Sequence, residues 1–225
     1  MNRAELFTKL LAGKKTSKYL EIGVDDPAST FLGVEAKTKI AIDPYSEGSN
    51  KCHVWNPKNC EAFMAQLAEN ASEFHRMTSD EYFESLSPKV KFDLIFIDGL
   101  HTEEQVRKDV ISSLKHLKKG GRIILDDALP NSPLEAVETP KPGAGWRGTV
   151  YKFIAEERVR GALGINLFCN WELNMAVIEN KPSEVALHSR EEFPNVSISY
   201  EYYKTFRNDL MRVLPLPEFL EKLGL

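Results

Sequence analysis

The chain lacks most of the features that would assign it quickly. Cysteine is scarce: Cys52, Cys60 and Cys169 are odd in number and show no paired CxxC spacing. That excludes a disulfide framework and leaves Cys52 and Cys60, with His53 between them, a poor metal set. Free thiols in a reducing cytoplasm are expected. No run approaches about 18 uninterrupted apolar residues, so no membrane span is expected. The opening stretch MNRAELFTKLLAGKK has no long apolar core and no small-residue cleavage site, so it does not read as a secretion signal. Positive charge is not in excess. A net charge of −4 argues against a broad nucleic-acid-binding face. Internal repeats and low-complexity segments are missing too.

What remains is a chain of 225 residues, 42% hydrophobic, enough to bury the core of one α/β domain with a small appendage. Apolar runs at Lys18 to Val24, Lys39 to Asp43, Phe74 to Met77, Phe92 to Asp98 and Arg122 to Leu125 read as strands. Between the first two there is room only for a short crossover helix. Pro57 to Ala71 reads as a helix with Asn56 as N-cap, and Ser79 to Leu86 as a short one. The next helix starts at Thr102, repeats Val106, Val110, Leu114 and Leu117 on one side, and is expected to stop at Gly120-Gly121, with Lys115, Lys118 and Lys119 at its end. Residues 128 to 148 hold four prolines and three glycines and read as a long loop, functional or mobile. A helix over Thr149 to Val159 and a hairpin of Gly164 to Cys169 with Asn174 to Glu179 follow. One more helix is expected near Tyr202 to Leu214.

This alternation predicts an α/β fold. It is a doubly wound, Rossmann-like, mostly parallel seven-stranded sheet with an antiparallel closing hairpin and helices on both faces. Residues 1–180 are expected to be the ligand-binding domain and 181–225 a helical appendage packed on it.

Parallel strands bring their last residues to one edge, where such sheets bind ligands. Glu21 and Gly23 close the first strand, Asp43 the second, Asp98 the fourth, and Asp126 and Asp127 the fifth. Gly23 would let a ligand approach closely. Asp43 suits ribose hydroxyls, with a turn-forming Asp before Pro44 as the plain alternative. The dinucleotide fingerprint GxGxxG is missing. The turn reads GVDDPAS, and Asp25-Asp26 would repel a pyrophosphate. A nucleoside carrying positive charge and no phosphate fits better, which points to S-adenosylmethionine and counts against a nicotinamide-dependent oxidoreductase.

The ordered segments YLEIG, AIDP, TSDEYF, FDLIFIDGLH and LKKGGRIILDD resemble the class I S-adenosylmethionine-dependent methyltransferases. More narrowly they resemble a small-molecule O-methyltransferase-like group with an IDGxH motif. The resemblance spans about Tyr19 to Glu179 and departs at the first turn, where Asp26-Pro27 replaces glycines. It implies that Glu21 and Gly23 serve the cofactor's amino-acid end, Asp43 its ribose, and Ser79 and Asp80 its adenine. Asp98 would lie beside the methyl-transfer point. Asp98, Asp126 and Asp127 are candidate Mg²⁺ ligands, as in metal-dependent relatives; alternatively Asp126-Asp127 cap the following loop and Asp98 only touches the cofactor. His101 is a candidate general base, or else a cap at the start of the helix. Trp146 and Arg147 are candidates for a lid over the acceptor, or for a plain surface loop.

The expected activity is methylation of a small-molecule hydroxyl, on a sugar or natural product, by a cytoplasmic enzyme with no nucleic-acid or membrane partner and with scope for a homo-oligomer. A cofactor-binding module without catalysis is the alternative.

Overall fold

The computed structural model describes residues 1–44, 57–183 and 198–225, without the side chains of 57–60 and Phe63. Cys52, His53, Asn56 and His188, with the side chains of Cys60 and Phe63, therefore lie outside the described residues.

The strands are β1 Lys18–Ile22, β2 Thr38–Ile42, β3 Glu73–His75, β4 Phe92–Ile97, β5 Leu117–Leu125, β6 Asn166–Asn170, β7 Met175–Glu179 and β8 Val213–Leu214. They form one sheet in the order β3-β2-β1-β4-β5-β7-β6-β8. The first five run parallel, while β7 is antiparallel to both β5 and β6. The order turns back between β1 and β4, which is where an open α/β sheet leaves a crevice at its carboxyl edge. β4 lies centrally and is buried at every position, as a strand covered on both faces should be.

The helices are α1 Arg3–Leu11, α2 Pro57–Asn70, α3 Ser79–Ser85, α4 Glu103–Lys115, α5 Val150–Arg160, α6 Tyr200–Leu210 and α7 Leu216–Leu223. One face of the sheet packs on residues of α3 to α6, through Val106, Val110, Phe153, Ile154 and Tyr203. The other packs on α1, α7 and Leu67 of α2. Among the described residues, no helix is long and apolar enough to cross a membrane.

Three expectations need correcting. The crossover after β1 holds only a 3-10 turn, Phe31–Gly33. The fourth helix stops at Lys115, because the His116 amide turns back to the Ser113 and Leu114 carbonyls. Lys118, Lys119 and Gly120-Gly121 therefore belong to β5. There the pairing with β4 shifts register between Phe92 and Leu94, and Gly120 sits at φ +75°. A glycine-bearing bulge accounts for a sequence that looks like a helix stop. The sheet also gains an eighth strand. The tail folds as α6, then β8 beside β6, then α7, whose Phe219 ring meets Phe168 of β6 edge-on at 5.5 Å.

Helix α1 was not expected at all, although its signal is local. Asn2 and Glu5 form a reciprocal capping box, and Leu6, Phe7, Leu10 and Leu11 make one buried stripe. Phe7 meets Phe96 of β4 edge-to-face at 4.9 Å, a pair contributing about 1 kcal/mol beyond its area.

Candidate active site

The strand ends bring the expected acids together. Gly23 follows β1 at φ +79°, and a Cβ there would lie 2.3 Å from the Asp98 carbonyl oxygen and 2.5 Å from Gly99 Cα. The first turn therefore passes directly against the end of β4, a contact only glycine allows. Asp43 Oδ2 accepts the amides of Val24 and Asp25, at 3.0 and 3.1 Å, and so braces that turn. Asp26 is used internally, its side chain accepting the Ala28 amide.

Glu21 is buried within β1, only 1% exposed. Its carboxyl is pushed up to about 8: burial raises it most, the bond from the Tyr19 hydroxyl opposes, and the Asp98 charge raises it further. An acid kept in the central strand at that cost is a mark of a functional site. At the β3 end, Ser79 donates to Asp109 at 2.6 Å. Gln105 Nε2 reaches Ser79, Asp80 and Asp109 at 3.1–3.2 Å, which ties the start of α3 to α4.

His101 follows Asp98 after β4 and lies between two acids. Nε2 is 3.2 Å from Asp98 Oδ1, and Nδ1 is 3.1 Å from Asp127 Oδ2. The second contact is an ion pair and not a hydrogen bond. Burial lowers the imidazole pKa, but the bond and charge of Asp98, then the charges of Asp127 and Asp126, outweigh it and lift it to about 9. His101 is therefore an imidazolium at neutral pH in this arrangement. It does not cap α4, which is the task of Thr102. Its ring stacks on Trp146 at 4.8 Å, and its carbonyl accepts the Thr149 amide at 2.7 Å. A Cβ at Gly148 would stand 1.9 Å from that carbonyl oxygen.

Trp146 and Arg147 belong to a loop folded around Glu135. The Glu135 carbonyl takes the Arg147 and Gly148 amides, its carboxylate takes Arg147 Nε at 2.7 Å, and Trp146 Nε1 donates to Val137 O. Arg147 Nη1 also reaches Asp127 Oδ1 at 3.5 Å, beside Asn174 Nδ2 at 3.1 Å. The long loop is thus built onto the acid edge.

Asp126 has a partner that sequence reasoning missed. Arg3 of α1 spans both of its carboxylate oxygens, with Nη2 2.7 Å from Oδ1, and stands 3.9 Å from Asp98 Oδ2. Burial and the charges of Asp98 and Asp127 push Asp126 upward, and the guanidinium opposes them. The trio expected to hold Mg²⁺ does not fit that ion as folded, because Asp126 gives both oxygens to Arg3. Among the described residues, the side chains whose ligand atoms converge, within 4.8 Å, are Asp98, His101 and Asp127. That set includes an imidazole, where Mg²⁺ prefers oxygen alone.

Residues 20–128 match the family model described as a methyltransferase domain. The chain carries a class I S-adenosylmethionine-dependent methyltransferase domain. Two solved structures are similar to this methyltransferase in fold. One is the O-methyltransferase TomG from Streptomyces achromogenes, involved in tomaymycin synthesis and solved with S-adenosylmethionine. It has 14% identity over 79% of each chain and a TM-score of 0.52. The other is a putative O-methyltransferase from Klebsiella pneumoniae, with 15% identity over 79% of each chain and a TM-score of 0.53. No curated protein matches the chain.

Proposed function

We propose that this methyltransferase transfers the methyl group of S-adenosylmethionine to a hydroxyl of a small molecule, a sugar or natural product. The observation that carries it is the Asp98–His101–Asp127 group, set at the carboxyl edge directly against the Gly23 turn. Glu21 would meet the cationic amino-acid end of the cofactor, Asp43 the ribose, and Ser79 and Asp80 the adenine. A buried acid and an acid at the second strand tip suit a cationic nucleoside. Bound there, the cofactor supplies an electrophilic methyl whose bonding electrons leave with sulfur.

The protein's own part is positioning and proton handling. Trp146 and the Glu135-centred loop cover His101 and limit water at the edge. Asp98 orients the imidazole. In its neutral form His101 takes the hydroxyl proton while the oxygen lone pair forms the new bond to carbon. Mg²⁺ at Asp98, Asp126 and Asp127, the expectation from resemblance, has no role in this scheme while Arg3 holds Asp126, so turnover should survive EDTA. The tail from residue 181 is proposed to be an appendage of the same domain, as the β6–β8 pairing supports.

Calorimetry with S-adenosylmethionine and its demethylated product, with NADH as control, tests the cofactor. Micromolar binding of both, lost in Asp43→Ala, supports the proposal; binding of NADH alone refutes it. A paired panel of hydroxyl and amine acceptors then decides the methylated atom, and methylation of amines alone would overturn the choice of oxygen. Tight cofactor binding with no methylated product across that panel would favour a non-catalytic binding module.

A further inference from the structure

The acid edge contains a cation that the proposed reaction does not use. Arg3 is the first residue of α1, next to the Asn2–Glu5 capping box that fixes the first helical turn. The helix is anchored by Leu6, Phe7, Leu10 and Leu11, all buried, so Arg3 is delivered by a seated element. Its target, the Asp126 side chain, is 4% exposed. Both Asp126 oxygens are engaged, and Asp98 lies within ion-pair range of the same guanidinium.

Each acid of the edge meets a basic side chain, Arg147 sharing its charge with Glu135. Asp98, Asp126 and Asp127 leave neighbouring strands, and Arg3, His101 and Arg147 meet them. Without Arg3, Asp126 would be a buried carboxylate beside two others and would have to take up a proton or another cation. Freed of the guanidinium, Asp126 would add its carboxylate beside the converging Asp98–His101–Asp127 group, and carboxylate oxygens suit a hard divalent ion. Arg3 is thus the group that keeps Asp126 from serving as a ligand.

We infer that Arg3 is a built-in cation that takes the place of a divalent metal at the ends of β4 and β5, so that seating of α1 and metal binding exclude one another. Arg3 is then a positioning residue. It holds Asp126 and steadies Asp98, and through Asp98 it steadies His101. The inference deepens the methyltransferase proposal, but the competition it describes does not depend on any acceptor.

Titration of Mn²⁺ alone into the full chain, followed by electron paramagnetic resonance, tests it in the wild type, Arg3→Met and Arg3→Lys. The wild type and Arg3→Lys should show no saturable site below millimolar Mn²⁺. Arg3→Met should gain one site, bound at least about tenfold more tightly, and Asp126→Asn in that background should remove it. Affinity for S-adenosylmethionine should fall several-fold in Arg3→Met and recover with Mn²⁺, which the loss of a purely structural ion pair would not allow. Equal Mn²⁺ binding by wild type and Arg3→Met, or none by either, overturns the inference. Should Arg3→Met fail to fold, hydrogen exchange of the wild type at molar-excess Mn²⁺ decides instead: α1 amides must lose protection as the ion binds, and α1 protected at saturation overturns it. A wild type that binds no S-adenosylmethionine would sink the methyltransferase proposal and leave the Mn²⁺ result to judge Arg3 separately.

Discussion

Replacing Glu21 by Gln should make the protein more stable at alkaline pH and worse at binding its cofactor. The carboxyl is held from the ordinary 4.5 up to about 8, chiefly by burial, against the Tyr19 bond. The folded state therefore binds more protons than the unfolded state between those values. Stability is fully present below about pH 4.5 and declines as pH rises to about 8, where the loss levels off. At about 1.4 kcal/mol per pH unit the loss reaches about 5 kcal/mol; relaxation and water entry reduce it to about 2–3 kcal/mol. Gln stays neutral and keeps an oxygen to accept from Tyr19, but its amide adds a buried donor costing about 1 kcal/mol.

The two melting curves must therefore cross. At pH 5 Glu21→Gln should be about 1 kcal/mol less stable than wild type, and at pH 8.5 about 1–2 kcal/mol more stable. For a chain of this size that is a Tm gain of about 2–8 °C. Calorimetry at pH 9, where the carboxyl is ionised, should show S-adenosylmethionine affinity down by about tenfold or more, because the charge that faces the ammonium is gone. Differential scanning calorimetry from pH 5 to 9 is the assay. Parallel Tm curves for the two proteins would refute the burial argument, and unchanged cofactor affinity would refute the role given to Glu21.

Other perturbations separate the remaining parts of the site. If neutral His101 is the base, kcat should climb about tenfold per pH unit toward a plateau near 9, since the folded pKa is about 9, and His101→Gln should abolish that slope; a flat profile in the wild type would remove the role. Gly148→Ala should lower Tm by several degrees, because a Cβ at φ +64° would meet the His101 carbonyl oxygen at 1.9 Å, with about 2–3 kcal/mol lost; an unchanged melt would mean the loop yields at no cost. Arg147→Ala should cost only about 1 kcal/mol in stability yet speed amide exchange across 131–147, since Arg147 joins Glu135 to Asp127; unaltered exchange would show that the loop is held elsewhere.

The parallel strands and the acid edge were legible because both come from local pattern. Phe92–Ile97 is apolar on both faces except at Asp93 and reads as a central strand, and strands joined by helices end at the same edge. The family likeness added roles to those positions. The errors arose where two signals compete. Gly120-Gly121 marks a helix stop and a β-bulge equally well, and only the pairing of Leu117 with Phe92 decides for the strand. The eighth strand is two residues long, too short for any period to show.

The missed partners share a different cause. Arg3 and Asp126 are 123 positions apart, and Asn174 reaches Asp127 across 47. Nothing in the spacing of either residue reports the other. The sequence nonetheless held a constraint that could have prompted the search. Three carboxylates placed at neighbouring strand ends cannot all remain charged and half-buried without cations. A metal is one answer, and the amphipathic, capped segment that opens the chain, with an arginine at its first turn, is another. Charge balance at a converging edge therefore calls for the chain's own cations to be considered before an external ion. The competition between Arg3 and Mn²⁺ is the point at which that rule succeeds or fails for this protein.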